Sequence, residues 1–104
     1  MVSFSGGPRP EPIEVVKVFL AQAIRIGAPV YNAGDPRGCY DIYAATARML
    51  LRVVEGADEA TTVLRSALES SAVINDIDRQ AWTMRHAFDA ILGEDEPPMS
   101  EDDE

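Results

Sequence analysis

Residues 27–43 read GAPVYNAGDPRGCYDIY, and the reading of this stretch decides the fold. It crowds three glycines, two prolines, all three tyrosines and the only cysteine of the 104-residue chain into one place. Its centre, Asn32-Ala33-Gly34-Asp35-Pro36, reads as stop, turn and start. Gly34 suits the left-handed position that ends a helix, because it has no Cβ to clash with the backbone. Asp35 suits the cap of a following helix, since its carboxylate accepts from backbone N–H groups that lack helical partners. Pro36 suits the first helical position, where a missing N–H costs nothing. The stretch is therefore a joint between two helices.

Working outward, the spacing predicts helix 1 from about Glu11 to Asn32. Ile13, Val16, Leu20, Ala23, Ile24 and Gly27 recur at intervals of three and four, the period of one helix face. Val15, Phe19 and Ile26 form a second stripe, which predicts neighbours on more than one side. Pro29 removes the hydrogen bond to the carbonyl of residue 25, so a kink is expected at Gly27–Pro29. Helix 2 runs from Pro36 to about Val54, with Cys39, Tyr43, Ala47, Leu50 and Val54 on one face, and Gly56 closes it. Asp58 is read as the cap of helix 3, about Glu59 to Ser71, whose narrow stripe marks an outer helix. Helix 4 spans about Asp76 to Leu92, with Ile77, Ala81, Met84, Phe88 and Ile91 on one face and Gly93 at its end. No strand-like alternation is present. The expected fold is all-α, a four-helix bundle or two stacked helical hairpins. Residues 1–10 read as a flexible arm, 11–93 as the helical domain and 94–104 as a disordered acidic tail.

Composition excludes several functions. The net charge is −9, but seven carboxylates lie in the tail: Glu94, Asp95, Glu96, Glu101, Asp102, Asp103 and Glu104. Without them 11 acids face 9 bases, so the rest of the chain is nearly neutral. Its basic residues are scattered, and a nucleic-acid partner would require a basic patch. The N-terminus lacks a charged start followed by an apolar run, and the apolar runs fall short of the ~20 residues that span a bilayer. A soluble, cytoplasmic protein with no membrane partner is expected. One cysteine and one histidine are too few for the usual zinc site. Asp76-Ile77-Asp78 lacks the glycine and further ligands of a calcium loop. No metal, cofactor or catalytic residue is expected. Cys39 reads as an inert packing residue, because nothing local supplies the base that a nucleophile needs.

The first hairpin, about residues 19–47, resembles a single tetratricopeptide-repeat unit. Gly27, Tyr31, Gly34, Asp35, Cys39, Tyr43 and Thr46 carry the resemblance. It covers about a quarter of the chain, and no second copy follows at the family's period of about 34 residues. The resemblance implies that small residues at Gly27 and Cys39 let two helices approach while Tyr43 fills the space beside them. The whole chain also resembles small uncharacterised helical domains of bacterial signalling and effector proteins. That likeness rests on the GAPVYNAGD hairpin and on Ala81-Trp82-Thr83-Met84-Arg85-His86-Ala87-Phe88-Asp89, and it implies an adaptor role.

Four residues of the opening stretch are not required by the turn: Tyr31, Asn32, Arg37 and Tyr40. They are the expected partner-binding residues, with Tyr40 displaced toward solvent or toward helix 1. The functional reading is a non-enzymatic protein–protein interaction domain that binds another protein and leaves self-association open. The alternative is a small-ligand or enzymatic role centred on residues 27–43. The joint itself is testable. Gly34→Val should destabilise the fold by about 1 kcal/mol or more if Gly34 is left-handed. Unchanged urea denaturation would place Gly34 outside that region.

Overall fold

The computed structural model describes residues 11–93; the expected arm at residues 1–10 and the expected acidic tail at residues 94–104 lie outside the described residues. Four helices follow in order: α1 (Pro12–Asn32), α2 (Pro36–Val53), α3 (Asp58–Ala72) and α4 (Ile77–Leu92). Among the described residues there is no strand. The fold is an all-α four-helix bundle.

The joint between α1 and α2 forms as its residues dictate. Gly34 adopts φ +97°, and its N–H donates to the Tyr31 carbonyl at 2.9 Å. The Asp35 N–H returns to the Val30 carbonyl at 3.1 Å, so two carbonyls of the last turn are satisfied. The Asp35 carboxylate then accepts from the Gly38 N–H at 2.9 Å, with Pro36 opening α2. Before this joint, α1 continues through Pro29 to Asn32, and the Ala33 N–H donates to the Pro29 carbonyl at 2.9 Å. At the far end of the chain Asp76 caps α4, accepting from the Asp78 and Arg79 amides, and Gly93 ends it at φ +77°.

Three local expectations change. α2 stops at Val53; Val54 turns to extended backbone, and Gly56, at φ +96°, lies within the connector rather than at the helix end. Asp58 is not a cap. It is the first residue of α3, after Ala57, and no side-chain cap bond forms there. The second stripe of α1 is left largely uncovered: Val15 is half-buried, but Phe19 is 43% and Ile26 49% exposed. α1 has one buried face, formed by Val16, Leu20, Ala23 and Gly27.

The reason lies in the arrangement of the helices. α2 and α4 pack against each other and each also packs against α1 and α3. They form the inner diagonal, so α1 and α3 stand outside. α2 accordingly buries a wide face that includes Cys39, Tyr40, Tyr43, Ala44, Ala47 and Leu50. Leu20, Tyr43, Leu50, Leu64, Met84 and Phe88, drawn from all four helices, are fully buried together. Each such side chain contributes about 1.5–3 kcal/mol by leaving water.

One contact fixes how closely α1 and α2 approach. A Cβ built on Gly27 would lie 2.6 Å from Cε1 of the Tyr43 ring. The expected close approach at Gly27 is thus present, and Tyr43 occupies the space. Gly27→Ala gains about 1 kcal/mol in helix propensity. It forces the tyrosine ring or the helix to move, and overpacking of this kind costs about 1–3 kcal/mol. The clash wins, and the melting temperature should fall; a rise would show that α1 and α2 have room to spare.

Candidate functional site

α1, α2 and α4 meet around a recess of about 110 Å³ at the end of the bundle that carries the joint. Ala28, Tyr31 and Asn32 line it from α1, Cys39 and Tyr43 from α2, and Ala81, Trp82 and Arg85 from α4. Each element delivers its residues by helical spacing. Ala28 and Tyr31 are three apart, Cys39 and Tyr43 four apart, and Ala81 and Arg85 four apart, so each pair shares one face. Small residues at Ala28 and Ala81 leave the space that the aromatic rings surround.

Tyr31 pins the end of α1 to α4. Its hydroxyl donates to Asp78 Oδ1 at 2.7 Å and accepts from Trp82 Nε1 at 3.2 Å. The two rings meet edge to face, with centroids 6.0 Å apart. Trp82 in turn lies against His86 at 5.6 Å and is 44% exposed, which makes it the most accessible aromatic side chain of the recess. Across the floor, the buried Tyr43 ring rests on Phe88 at 5.1 Å. Arg85 is half-buried and paired with Asp89 at 3.1 Å, the one ion pair among the described residues.

The four residues expected to bind a partner are not brought together. Tyr31 and Asn32 line the recess. Arg37 stands exposed in the first turn of α2, outside the lining. Tyr40 corrects the expectation that placed it toward solvent or helix 1. It is buried and turned to α3, where its hydroxyl bonds Ser71 Oγ at 3.0 Å. Ser71 is fully buried too; its hydroxyl donates to the Leu68 carbonyl, and its own carbonyl accepts from Gln80. A phenol and a serine satisfy each other inside the core, so neither is left as an unpaired polar group. Neither Arg85 nor Trp82 stood among the expected partner-binding residues. Their signal was the spacing of Ala81, Trp82 and Arg85 on helix 4, but only packing brings that spacing to Tyr31.

The electrostatics of the recess keep its thiol and phenols neutral and its guanidinium charged. Burial pushes the Cys39 thiol up, and a hydrogen bond with Tyr43 reverses this only in part. Burial, reinforced by Cys39, pushes the Tyr43 phenol up to about 12. The bond to Asp78 raises the Tyr31 phenol, while the Trp82 N–H pulls the other way. Burial opposes the Arg85 charge, but the Asp89 carboxylate outweighs it and holds the guanidinium above its usual range. His86 is exposed and outside the lining, so Cys39 has no histidine beside it in the recess. Among the described residues no three His, Cys, Asp or Glu side chains gather as a metal site. No described helix is long and apolar enough to cross a membrane.

No protein-family model, curated protein or solved structure matches this chain.

The Tyr43 phenol has a measurable consequence. It ionises at about 12 when folded and near its ordinary 10.0 when unfolded, so the folded state holds the proton more tightly. Its stabilisation is complete below pH 10.0 and is lost as pH rises toward about 12. Urea denaturation across this window should show falling stability, and Tyr43→Phe should make the fall shallower. An identical slope in the variant would show that Tyr43 ionisation is not linked to folding.

Proposed function

We propose that this chain is a non-enzymatic helical protein–protein interaction domain that docks its partner at the Tyr31–Trp82 recess. One observation carries the reading: an accessible indole stands over a small apolar recess whose rim groups are already paired. Tryptophan and tyrosine dominate binding energy where they flank a pocket that a partner can desolvate. The Tyr31–Asp78 bond and the Arg85–Asp89 pair hold the rim in place before any partner arrives, which lowers the ordering cost of binding. The space suits a single aliphatic or aromatic side chain, and the exposed Asn32 amide beside it suits a backbone group next to that side chain. The resemblance to adaptor-type helical domains of bacterial signalling and effector proteins agrees with this use.

A second reading has its own support. The recess joins Tyr31, Asn32, Cys39 and Tyr43, so a small apolar ligand centred on the 27–43 hairpin would also find a seat. A volume of 110 Å³ is close to what a benzene-sized molecule fills.

Selection of a random peptide library on the immobilised full chain separates the two readings. Enriched peptides should converge on one apolar anchor position, and Trp82→Ala should weaken their binding by about tenfold or more. Failure to converge, or binding indifferent to Trp82→Ala, overturns the interaction reading. Thermal stabilisation by small aromatic compounds, abolished by filling the recess with Ala28→Leu, would favour the ligand.

A further inference from the structure

We infer that the outer face of α1 is a self-association surface, on which two copies of this chain pair antiparallel about a two-fold axis. Two adjoining rows of side chains make up this face. Glu14, Val18, Ala21 and Arg25 form the row opposite the core, and all four are exposed. Val15, Phe19, Gln22 and Ile26 form the row beside it. Val18 is 65%, Phe19 43% and Ile26 49% exposed, the densest run of exposed large apolar side chains in the described residues. The core does not use this face; the buried face of α1 is Val16, Leu20, Ala23 and Gly27. From Val15 to Ile26 the face is about three turns long, roughly 17 Å.

The pattern points to a second copy rather than to an unrelated helix. Glu14, Val18, Ala21 and Arg25 follow a spacing of four, three and four, which reads the same in both directions. A two-fold axis crossing at the level between Phe19 and Leu20 therefore sets Val18 against the partner's Ala21. The larger side chain meets the smaller one, as interdigitated packing requires. The same axis keeps the second row of one copy beside the second row of the other. Phe19 then meets the partner's Phe19 close to the axis, and Val15 lies within one residue's rise or two of the partner's Ile26. A two-fold interface must be self-complementary in this sense.

Charge selects the direction. Glu14 and Arg25 are eleven residues apart, about three turns, so they close the same row at its two ends. Neither has an ion-pair partner among the described residues. In the antiparallel pair, the two-fold axis brings Glu14 opposite the partner's Arg25, and the same contact occurs twice. In a parallel pair, Glu14 would meet the partner's Glu14, and Arg25 the partner's Arg25. Opposite charges thus favour one arrangement and like charges oppose the other. The face shares no residue with the Trp82 recess, so pairing does not depend on that site.

Sedimentation velocity of the full chain over a range of concentrations tests the proposal. A reversible monomer–dimer equilibrium with a Kd in the range of about 1–100 μM is expected for a contact this short. Phe19→Glu with Ile26→Glu should abolish the dimer while leaving helicity by circular dichroism unchanged, because neither side chain belongs to the core. Arg25→Glu should raise Kd about tenfold, and Glu14→Arg combined with Arg25→Glu should restore it. A chain that stays monomeric at about 1 mM overturns the proposal. So does a dimer that survives Phe19→Glu with Ile26→Glu, or a charge reversal that fails to rescue. Trp82→Ala should leave the dimer intact, which separates this surface from the peptide-docking recess.

Discussion

The contact between Gly27 and the ring of Tyr43 sets the geometry on which the other features depend. Because Gly27 has no side chain, α1 can lie directly on a tyrosine of α2. The ring is then fixed from below by Phe88 of α4, so one buried aromatic side chain ties three helices together. Everything at this end of the bundle follows from that spacing. Ala28 and Ala81 are near enough to enclose a recess, and Tyr31 is near enough to α4 to bond both Asp78 and Trp82. A helix separation one methyl group wider would loosen the hydroxyl bonds and open the recess to water, since packed interiors transmit such changes rather than absorb them.

The three tyrosines show how one residue type takes three roles by depth. Tyr43 is buried among apolar neighbours, and its phenol is held neutral well into the alkaline range. Tyr40 is also buried, but its hydroxyl is matched by Ser71, so it locks α2 to α3. Tyr31 lies at the rim, where its hydroxyl is shared between a carboxylate and an indole. Only the rim position leaves an aromatic edge beside solvent, next to the exposed indole of Trp82. The outer face of α1 is a different kind of surface. Its character comes from exposed apolar side chains with opposite charges at the two ends. A domain with both surfaces would bind a partner's side chain at one place and another copy of itself at another, raising avidity for a repeated or dimeric target.

Local chemistry made much of this legible in the sequence. Gly34, Asp35 and Pro36 act as the stop, cap and start that their residue types demand, because a positive φ, an N-terminal acceptor and a missing N–H are each properties of one residue and its nearest neighbours. The core face of each helix was legible for the same reason, since Val16, Leu20, Tyr43, Leu50, Leu64, Met84 and Phe88 follow the helical period. The close approach at Gly27 was what the resemblance of the first hairpin to a tetratricopeptide-repeat unit implied. Two of the eight residues that line the recess, Tyr31 and Asn32, stood out because the turn did not need them.

The rest depended on which helices became neighbours. The stripe of Phe19 and Ile26 looks like a second buried face, and its exposure follows only from α1 taking an outer place in the bundle. Tyr40 sits beside the core face of α2 by helical spacing; α3, arriving on that side, buries it against Ser71. Trp82 and Arg85 lie far beyond Tyr31 in the chain, and their approach requires α4 to fill the inner diagonal. The sequence by itself determined the helices, most of their ends and the side each one buries, because those are local balances of backbone geometry and apolar period. The tertiary structure alone decided which side chains share the recess and which apolar face remains outside, because both are consequences of packing between residues distant in the chain.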